Sequence, residues 1–120
     1  MSNFFTGVDI VDVDRIKSLT EKYQDRFLNK VFSLDEQNYC NSKYSSYIHY
    51  SGKFAAKEAV MKSLYSSGEK TLISFVSIAI INNKNGVPEV FINGLRKDNI
   101  KISISHTNLQ AIAFSILDNG

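Results

Sequence analysis

The segment from Ser46 to Tyr65 carries the strongest structural signal in this sequence and limits the folds available to the chain. Its central run, Phe54-Ala55-Ala56-Lys57-Glu58-Ala59, consists largely of good helix formers, and the segment contains no proline. Ser66-Ser67-Gly68 marks its end. Beyond that point the hydrophobic period changes to that of strands. We therefore predict an α+β domain in which one long helix packs on an antiparallel sheet.

Shorter patterns predict the elements that precede this helix. The β-branched character of the run from Phe4 to Val11 predicts an opening strand. A helix should follow at once, capped by Asp12 or Asp14. Ser33-Leu34-Asp35-Glu36 is a capping-box pattern, so a second, short helix should run toward Tyr39. Apolar residues at three- and four-residue spacing support the first of these helices: Val13, Ile16, Leu19 and Tyr23.

The second half of the chain contains several β-branched runs that predict strands. They are Ile73 to Ile81, Glu89 to Ile92, Ile100 to Ser105 and Ala111 to Leu117. The turn from Asn82 to Gly86 predicts a hairpin, after which Pro88 should begin an edge strand. Small and large residues alternate along the run from Ala111 to Leu117, so one of its faces leaves room for the long helix.

Length and composition exclude several classes of protein. The 120 residues amount to one domain, residues 1–120, and the hydrophobic share of 43% excludes a disordered chain. A net charge of +2 is too small to indicate a nucleic-acid partner, and no apolar run is long enough for a membrane span. Because the single cysteine, Cys40, cannot form an internal disulfide, we expect a cytoplasmic protein in which this thiol is packed or unreactive.

Two carboxylates, Asp9 and Glu58, are candidates for a metal site. Asp9 follows Gly7 at the predicted end of the first strand, where a helix cap or turn is the alternative role. Glu58 lies among alanines that let other elements approach, and an ion pair with Lys62 on the helix surface is its alternative. Carboxylates without His or Cys neighbours suit Mg²⁺. We therefore predict that Asp9 and Glu58 hold Mg²⁺ against a pyrophosphate while Lys62 stabilises or protonates a phosphate leaving group.

A second group of polar residues ends the run from Ile102 to Thr107. Ser105 and His106 can bind a phosphate there or assist proton transfer, and a structural role is the alternative for the histidine. Gly86 and Pro88 by themselves indicate a hairpin exit. The sequence has no glycine-rich phosphate loop of the Walker or dinucleotide type, which excludes those nucleotide-binding folds.

Taken in order, these residues resemble the bacterial holo-acyl-carrier-protein synthases, small members of the phosphopantetheinyl transferase superfamily. The resemblance covers nearly the whole chain, and its central Phe-Ala-Ala-Lys-Glu-Ala run is specific. It implies a phosphopantetheinyl transferase-like α+β fold. The segments that carry it are Gly7-Val8-Asp9-Ile10-Val11, Arg15-Ile16, Lys53 to Ala59, Lys62, Gly86-Val87-Pro88 and Ile104-Ser105-His106.

The resemblance also implies a reaction. It is the transfer of the 4′-phosphopantetheine arm of coenzyme A to a serine hydroxyl of apo acyl carrier protein, with release of adenosine 3′,5′-bisphosphate. By the same likeness, Asp9 and Glu58 are the Mg²⁺ ligands and Lys62 contacts or protonates the departing phosphate. Glu58 or a water molecule is the candidate general base. Arg15 occupies the position at which members of the family contact the acidic carrier protein. The residues that fall where the family binds coenzyme A are Lys53, Gly86, Pro88, Ser105 and His106.

The small members of this family are trimers with active sites between neighbouring chains, so the resemblance implies a homotrimer. The chain departs from the family pattern at four places. Lys53 stands where arginine is usual, His49 where an apolar aromatic residue is common, and Phe5 where a glycine is usual before the aspartate. Tyr65-Ser66-Ser67-Gly68 stands where a Gly-Thr-Gly segment is expected. Two alternatives remain open. One is a non-catalytic module of the same fold that binds acyl carrier protein or coenzyme A, and the other is an unrelated Mg²⁺-dependent phosphohydrolase that uses the same carboxylates.

Overall fold

The structure, a computed structural model, describes residues 3–120 and confirms the predicted α+β class. No helix in this part of the chain is long and apolar enough to cross a lipid bilayer. The elements, in chain order, are β1 (Phe4–Asp12), α1 (Val13–Tyr23), α2 (Asp25–Val31), α3 (Leu34–Asn41), α4 (Ser46–Ser66), β2 (Ile78–Asn82), β3 (Pro88–Ile92), β4 (Leu95–Arg96), β5 (Ile100–His106) and β6 (Gln110–Asp118).

The strands form two antiparallel sheets. The larger has the order β1-β6-β5, so the opening strand pairs with the last one, and Asp9 lies opposite Ala113. The smaller has the order β2-β3-β4. Pro88 begins β3, the central strand of this sheet and not the edge strand that we predicted. A proline is tolerated there because β4 pairs only with Phe91 and Ile92, which leaves Pro88 with β2 alone as its strand neighbour.

Helix α4 packs on β1 and β6 through small residues, as the alternation in β6 predicts. Ala111, Ala113 and Ser115 are buried on the face of β6 that meets the helix, and the hydroxyl groups of Ser63 and Ser115 are 3.0 Å apart. On β1, a Cβ atom added to Gly7 would collide with the carbonyl oxygen of Ala59. Glycine is therefore required at this position for the strand to approach the helix so closely.

A buried polar cluster ties α4 to the elements on its other side. Glu36 fills the capping box of α3, in which its carboxylate accepts from the backbone N–H of Ser33. The same carboxylate accepts from the Lys57 ammonium at 2.7 Å and from the backbone N–H of Ile80 at 2.9 Å. Glu36 and Lys57 are fully buried. We call Glu36, Lys57 and the neighbouring Lys53 the buried polar cluster.

The structure corrects several predicted boundaries. A separate helix, α2, follows α1 after Gln24, whose positive φ of 52° turns the chain. The predicted strand from Ile73 to Ile81 begins only at Ile78, because Phe75–Ser77 form a 3₁₀ turn. Asp12 occupies the N-cap position of α1, but its side chain makes no capping bond and accepts instead from Gln110.

Candidate active site

Asp9 lies within β1 and not at the end of the strand, as the sequence analysis assumed, because β1 continues to Asp12. This position excludes the alternative role of Asp9 as a helix cap. Its side chain is largely buried, and its carboxylate lies 3.5 Å from the ammonium of Lys62. The same ammonium donates to the carbonyl oxygen of Val8 at 2.8 Å. Lys62 therefore reaches from α4 across to β1 and connects the two elements at the carboxylate.

Glu58 lies one turn before Lys62 on α4 and is half-buried. Burial raises the pKa of Glu58 above its ordinary value, and the charge of Asp9 raises it further, while Lys62 and Arg15 act in the opposite direction. Asp9 and Glu58 thus share one electrostatic environment although they are distant in sequence. Among residues 3–120, the ion pair formed by Lys62 is with Asp9 and not with Glu58, which disfavours the simple surface pair within the helix.

We call the region formed by Asp9 on β1 and by Glu58 and Lys62 on α4 the cleft, and its two carboxylates are donors that fit a hard divalent cation. Residues 3–120 contain no group of three or more His, Cys, Asp or Glu side chains placed to hold a metal ion. Two neighbouring carboxylates are the donors that Mg²⁺ uses where water and substrate phosphates fill its other positions. Asp9 and Glu58 provide such a pair, and the charge of Asp9 adds to the effect of burial in raising the pKa of Glu58.

A separate cavity of about 430 Å³ opens beside the N-terminal half of α4. Lys53 from α4, Gly86 and Pro88 from the β2–β3 hairpin, and His106 from the end of β5 line it together. Four of the five residues that the resemblance assigned to coenzyme A therefore meet in one place. Ser105 does not line this cavity and instead lines a hollow on the outer face of the large sheet, because neighbouring strand residues point to opposite faces.

The ammonium of Lys53 forms part of the inner wall of this cavity. It donates to the carbonyl oxygen of Ile80 and, at 2.8 Å, to the side-chain oxygen of Asn82. It also lies 4.6 Å from the centroid of the Tyr39 ring. Lys53 is buried, and this burial lowers its pKa. These contacts direct its charge inward to β2 and away from the cavity opening.

The sequence patterns did not single out Tyr39 or Asn82 as cavity residues. Both line the cavity, although Tyr39 was noted only as the end of a helix and Asn82 only as part of a turn. His49, noted as a departure from the family pattern, lines the same cavity with its ring centroid 6.0 Å from that of His106. A polar residue one turn before Lys53 on the helix is the signal that could have identified His49.

Four other residues from the sequence analysis lie outside this cavity. The Arg15 guanidinium carbon lies 5.5 Å from the centroid of the Phe54 ring, close enough for the charge to influence Glu58. Ser67 and Gly68 line a different hollow at the C-terminal end of α4. Cys40 is buried, and burial raises the pKa of its thiol from 9.0 to about 12, so the predicted unreactive thiol agrees with its environment.

Comparison with known proteins yields one consistent family. A family model described as the 4′-phosphopantetheinyl transferase superfamily matches residues 6–116. The holo-[acyl-carrier-protein] synthase of Protochlamydia amoebophila is 41% identical over 92% of this chain and 93% of its own length. The enzyme of the same name from Thermodesulfovibrio yellowstonii is 45% identical over 92% of this chain and 95% of its own. Among solved structures, Helicobacter pylori holo-[acyl-carrier-protein] synthase in complex with coenzyme A superposes with a TM-score of 0.77 at 27% identity, covering 93% of this chain and 98% of that one.

Proposed function

This chain belongs to the 4′-phosphopantetheinyl transferase superfamily, among its holo-acyl-carrier-protein synthases, and from that premise we propose how its residues act. The reaction transfers the 4′-phosphopantetheine group of coenzyme A to a serine hydroxyl of apo acyl carrier protein. The serine oxygen forms a bond to the phosphorus that carries the pantetheine. The bond from that phosphorus to the bridging oxygen breaks, and adenosine 3′,5′-bisphosphate leaves.

The observation that carries the mechanism is the ion pair between Asp9 and Lys62 together with the influence of both charges on the pKa of Glu58. Asp9 and Glu58 would hold Mg²⁺, which when bound neutralises charge on the pyrophosphate. The raised pKa of Glu58 also suits this carboxylate to accept the serine proton. Lys62 has an exposed ammonium beside Asp9, from which it can stabilise or protonate the phosphate that leaves.

The 430 Å³ cavity is the proposed site for the nucleotide part of coenzyme A. It opens beside the same helix that carries Glu58 and Lys62, a few turns closer to the N-terminus of that helix. The complex of the Helicobacter pylori relative with coenzyme A supports a coenzyme A site in this family. Because we expect active sites between neighbouring chains, the cavity of one chain and the carboxylates of its neighbour would together hold one coenzyme A.

The carrier protein is proposed to dock on α1 and α2. Arg15 lies on the exposed face of α1 near the cleft, and a hollow of about 400 Å³ farther along carries Arg26 and Lys30 around the apolar Leu19 and Phe27. Cations that surround an apolar groove are suited to an acidic partner that also presents apolar side chains.

The outer face of the large sheet supports the proposed homotrimer. Val8 and Ile10 on β1 and Ile112 and Phe114 on β6 lie on the face opposite α4 and are 42–57% exposed. A contiguous apolar face of this kind is typical of a contact between protein chains.

We expect Phe114→Lys to shift the molar mass in solution, measured by light scattering, from trimer to monomer and to abolish transfer. A trimeric Phe114→Lys variant would contradict this assignment.

The decisive experiment combines the protein with apo acyl carrier protein, coenzyme A and Mg²⁺ and measures the intact mass of the carrier. We expect the carrier to gain one phosphopantetheine group, and Asp9→Ala to prevent the gain. Asp14→Ala, which removes an exposed carboxylate from α1, is the matched control and should transfer normally. A carrier of unchanged mass, with the wild-type protein folded, would refute the proposed function and leave the non-catalytic binding module as the better description.

A further inference from the structure

We propose that Glu36 and Lys57 are positioning residues that hold β2 in register with α4 and thereby place the β2–β3 hairpin at the wall of the cavity of about 430 Å³. In this role they touch no substrate and act through the backbone of β2. The part of the inference that concerns coenzyme A rests on the proposed function, since it requires coenzyme A to occupy that cavity. The part that concerns the backbone of β2 is testable without any ligand.

The first support is the way in which the open edge of β2 is satisfied. Within residues 3–120, β3 is the only strand neighbour of β2, so the backbone groups on the other side of β2 need other partners. The N–H of Ile80 donates to the Glu36 carboxylate at 2.9 Å. The carbonyl oxygen of Ile78 accepts from the Lys57 ammonium, and that of Ile80 accepts from the Lys53 ammonium. Three side chains thus take the place of the donors and acceptors of a neighbouring strand.

The second support is a match between the spacing of the two lysines on α4 and that of the carbonyl groups on β2. Lys53 and Lys57 are four residues apart, which corresponds to roughly 6 Å along a helix axis. Ile78 and Ile80 are two residues apart, which corresponds to roughly 6.8 Å along a strand. One register of β2 along α4 therefore satisfies both lysines, whereas a shift by one residue would turn the two carbonyl groups away.

The third support is the burial of these contacts. Glu36 and Lys57 are fully buried, so a group that loses its partner here has no water to replace it. The Lys57 ammonium has three N–H donors. They are directed to Glu36 and to the carbonyl oxygens of Phe75 and Ile78. The strand β2 therefore cannot move along α4 without leaving a buried charge incompletely paired.

The position of β2 affects the cavity because the β2–β3 hairpin forms one of its walls. Asn82 ends β2 and lines the cavity together with Gly86 and Pro88. The side chain of Asn82 accepts from Lys53 and donates to the carbonyl oxygen of Gly86 at 3.2 Å, which extends the contacts of α4 into the turn. Molecules whose hairpin has left α4 lack this wall, so the apparent affinity for a ligand falls with the fraction of molecules that keep it.

Glu36→Gln tests this role because it preserves the size of the side chain. Glutamine has one acceptor oxygen where the carboxylate has two. Its amide nitrogen must therefore face either the N–H of Ile80 or the N–H of Ser33 together with the Lys57 ammonium. The first orientation opposes fewer donors and should predominate, so the variant chiefly loses the bond to β2. Asp35→Asn makes the same change at an exposed carboxylate of α3 and is the matched control.

Initial rates of transfer at a series of coenzyme A concentrations separate positioning from stability. We expect Glu36→Gln to raise KM for coenzyme A about three- to tenfold and to keep kcat within about twofold of wild type, because bound coenzyme A selects the molecules whose hairpin is in place. Asp35→Asn should match wild type in both constants. A folded Glu36→Gln protein with an unchanged KM would overturn the positioning role and leave the proposed function intact.

Hydrogen exchange of the free protein provides a readout that involves no substrate. In the wild-type protein, we expect the amide of Ile80 to exchange as slowly as the amides of β6, although Ile80 lies at a sheet edge. In Glu36→Gln, exchange at Ile80 and in residues 82–88 should accelerate about tenfold more than exchange in β6. Equal acceleration in both sheets, or rapid exchange of Ile80 in the wild-type protein, would show that Glu36 contributes stability alone.

The two readouts distinguish failure of this inference from failure of the proposed function. A wild-type protein that does not transfer phosphopantetheine would refute the proposed function and, with it, the expected change in KM. The exchange of Ile80 would still decide whether Glu36 and Lys57 hold β2 in register with α4.

Discussion

Two pairs of charged residues on α4 differ in their hydrogen-bond and ion-pair partners. Lys53 and Lys57 belong to the buried polar cluster, where the Lys57 ammonium donates to Glu36 and to the carbonyl oxygens of Phe75 and Ile78. Glu58 and Lys62, with the same four-residue spacing, face the cleft, where Lys62 is 53% exposed and Glu58 has a raised pKa.

The comparison shows that one helix can stabilise the fold through one set of side chains and present catalytic groups through another. In residues 3–120, every buried side-chain nitrogen and oxygen has a hydrogen-bond partner, so the buried polar cluster is complete without a ligand. The cleft contains two neighbouring carboxylates whose repulsion a cation would relieve. We therefore expect substitutions in the cluster to reduce stability and substitutions in the cleft to reduce activity.

The largest effect should come from Glu58→Ala. We expect transfer to fall by about a thousandfold or more, because the change removes a metal ligand and the candidate base together. The midpoint of thermal unfolding should stay near that of wild type, since Glu58 makes no ion pair within residues 3–120. Initial rates from the intact mass of the carrier, together with a thermal melt, measure both quantities. A folded variant that keeps a tenth of the wild-type rate would contradict the assignment.

Glu36→Ala should produce the opposite outcome. It leaves the Lys57 ammonium buried without its partner charge, and we expect a loss of about 3–5 kcal/mol in the free energy of unfolding. Urea denaturation measures this loss. The double variant Glu36→Leu/Lys57→Met is the matched control and should recover part of the stability, because it removes both charges and keeps the volume but leaves the backbone N–H groups of Ser33 and Ile80 without their acceptor. If Glu36→Ala costs less than about 1 kcal/mol, the buried pair does not support the helix.

Lys62→Met tests the cleft with a residue whose loss should hardly affect the fold. We expect kcat to fall about a hundredfold, since the cation beside the departing phosphate is removed. The half-exposed lysine contributes little to stability, so the urea midpoint should change only slightly. Lys57→Met provides the contrast, because it should unfold the protein at a lower urea concentration. Similar midpoints for the two lysine variants would remove the distinction between the two regions.

The smallest effect concerns Cys40, which lies near the buried polar cluster. Ionisation of its thiol does not change the free energy of unfolding at pH 7. Its pKa is 9.0 when exposed and about 12 in the folded chain. The folded state therefore holds the proton more tightly, and the stability from this thiol is complete below pH 9.0 and is lost toward pH 12.

We expect Cys40→Val to flatten the alkaline loss of stability by up to about 1.4 kcal/mol per pH unit. Urea denaturation at a series of pH values measures the slope. Tyr50, whose pKa rises to about 12, contributes with the same sign and remains in both proteins. Parallel slopes for wild type and Cys40→Val would show that the thiol is not the cause.

Local patterns in the sequence were sufficient for much of the fold. The long helix is confirmed at Ser46–Ser66 and the capping box at Ser33, because both depend on neighbouring residues. Packing of α4 against the small residues of β6 followed from their alternation. Helix α2 could not be predicted in the same way, because the turn that isolates it depends on the positive φ of Gln24, a residue with no strong preference for that conformation.

The candidate site was predictable in its composition and less so in its geometry. Asp9, Glu58 and Lys62 follow from residue type and family resemblance, and the structure brings them together. The inward direction of Lys53 could not be predicted, because its partners come from β2. Glu36 showed only its local capping role in the sequence, since its other two partners come from α4 and β2.

The pairing of β1 with β6 has a consequence for how the protein is made. Asp12 and Gln110, whose side chains are hydrogen-bonded across this pair, are 98 positions apart in the chain. During synthesis, the strand that carries Asp9 leaves the ribosome long before β6, its neighbour in the sheet, exists. Pairings between such distant segments form slowly, and the early strand stays exposed to other chains in the meantime. Catalytic competence should therefore arise late, once β6 has been translated and inserted beside β1.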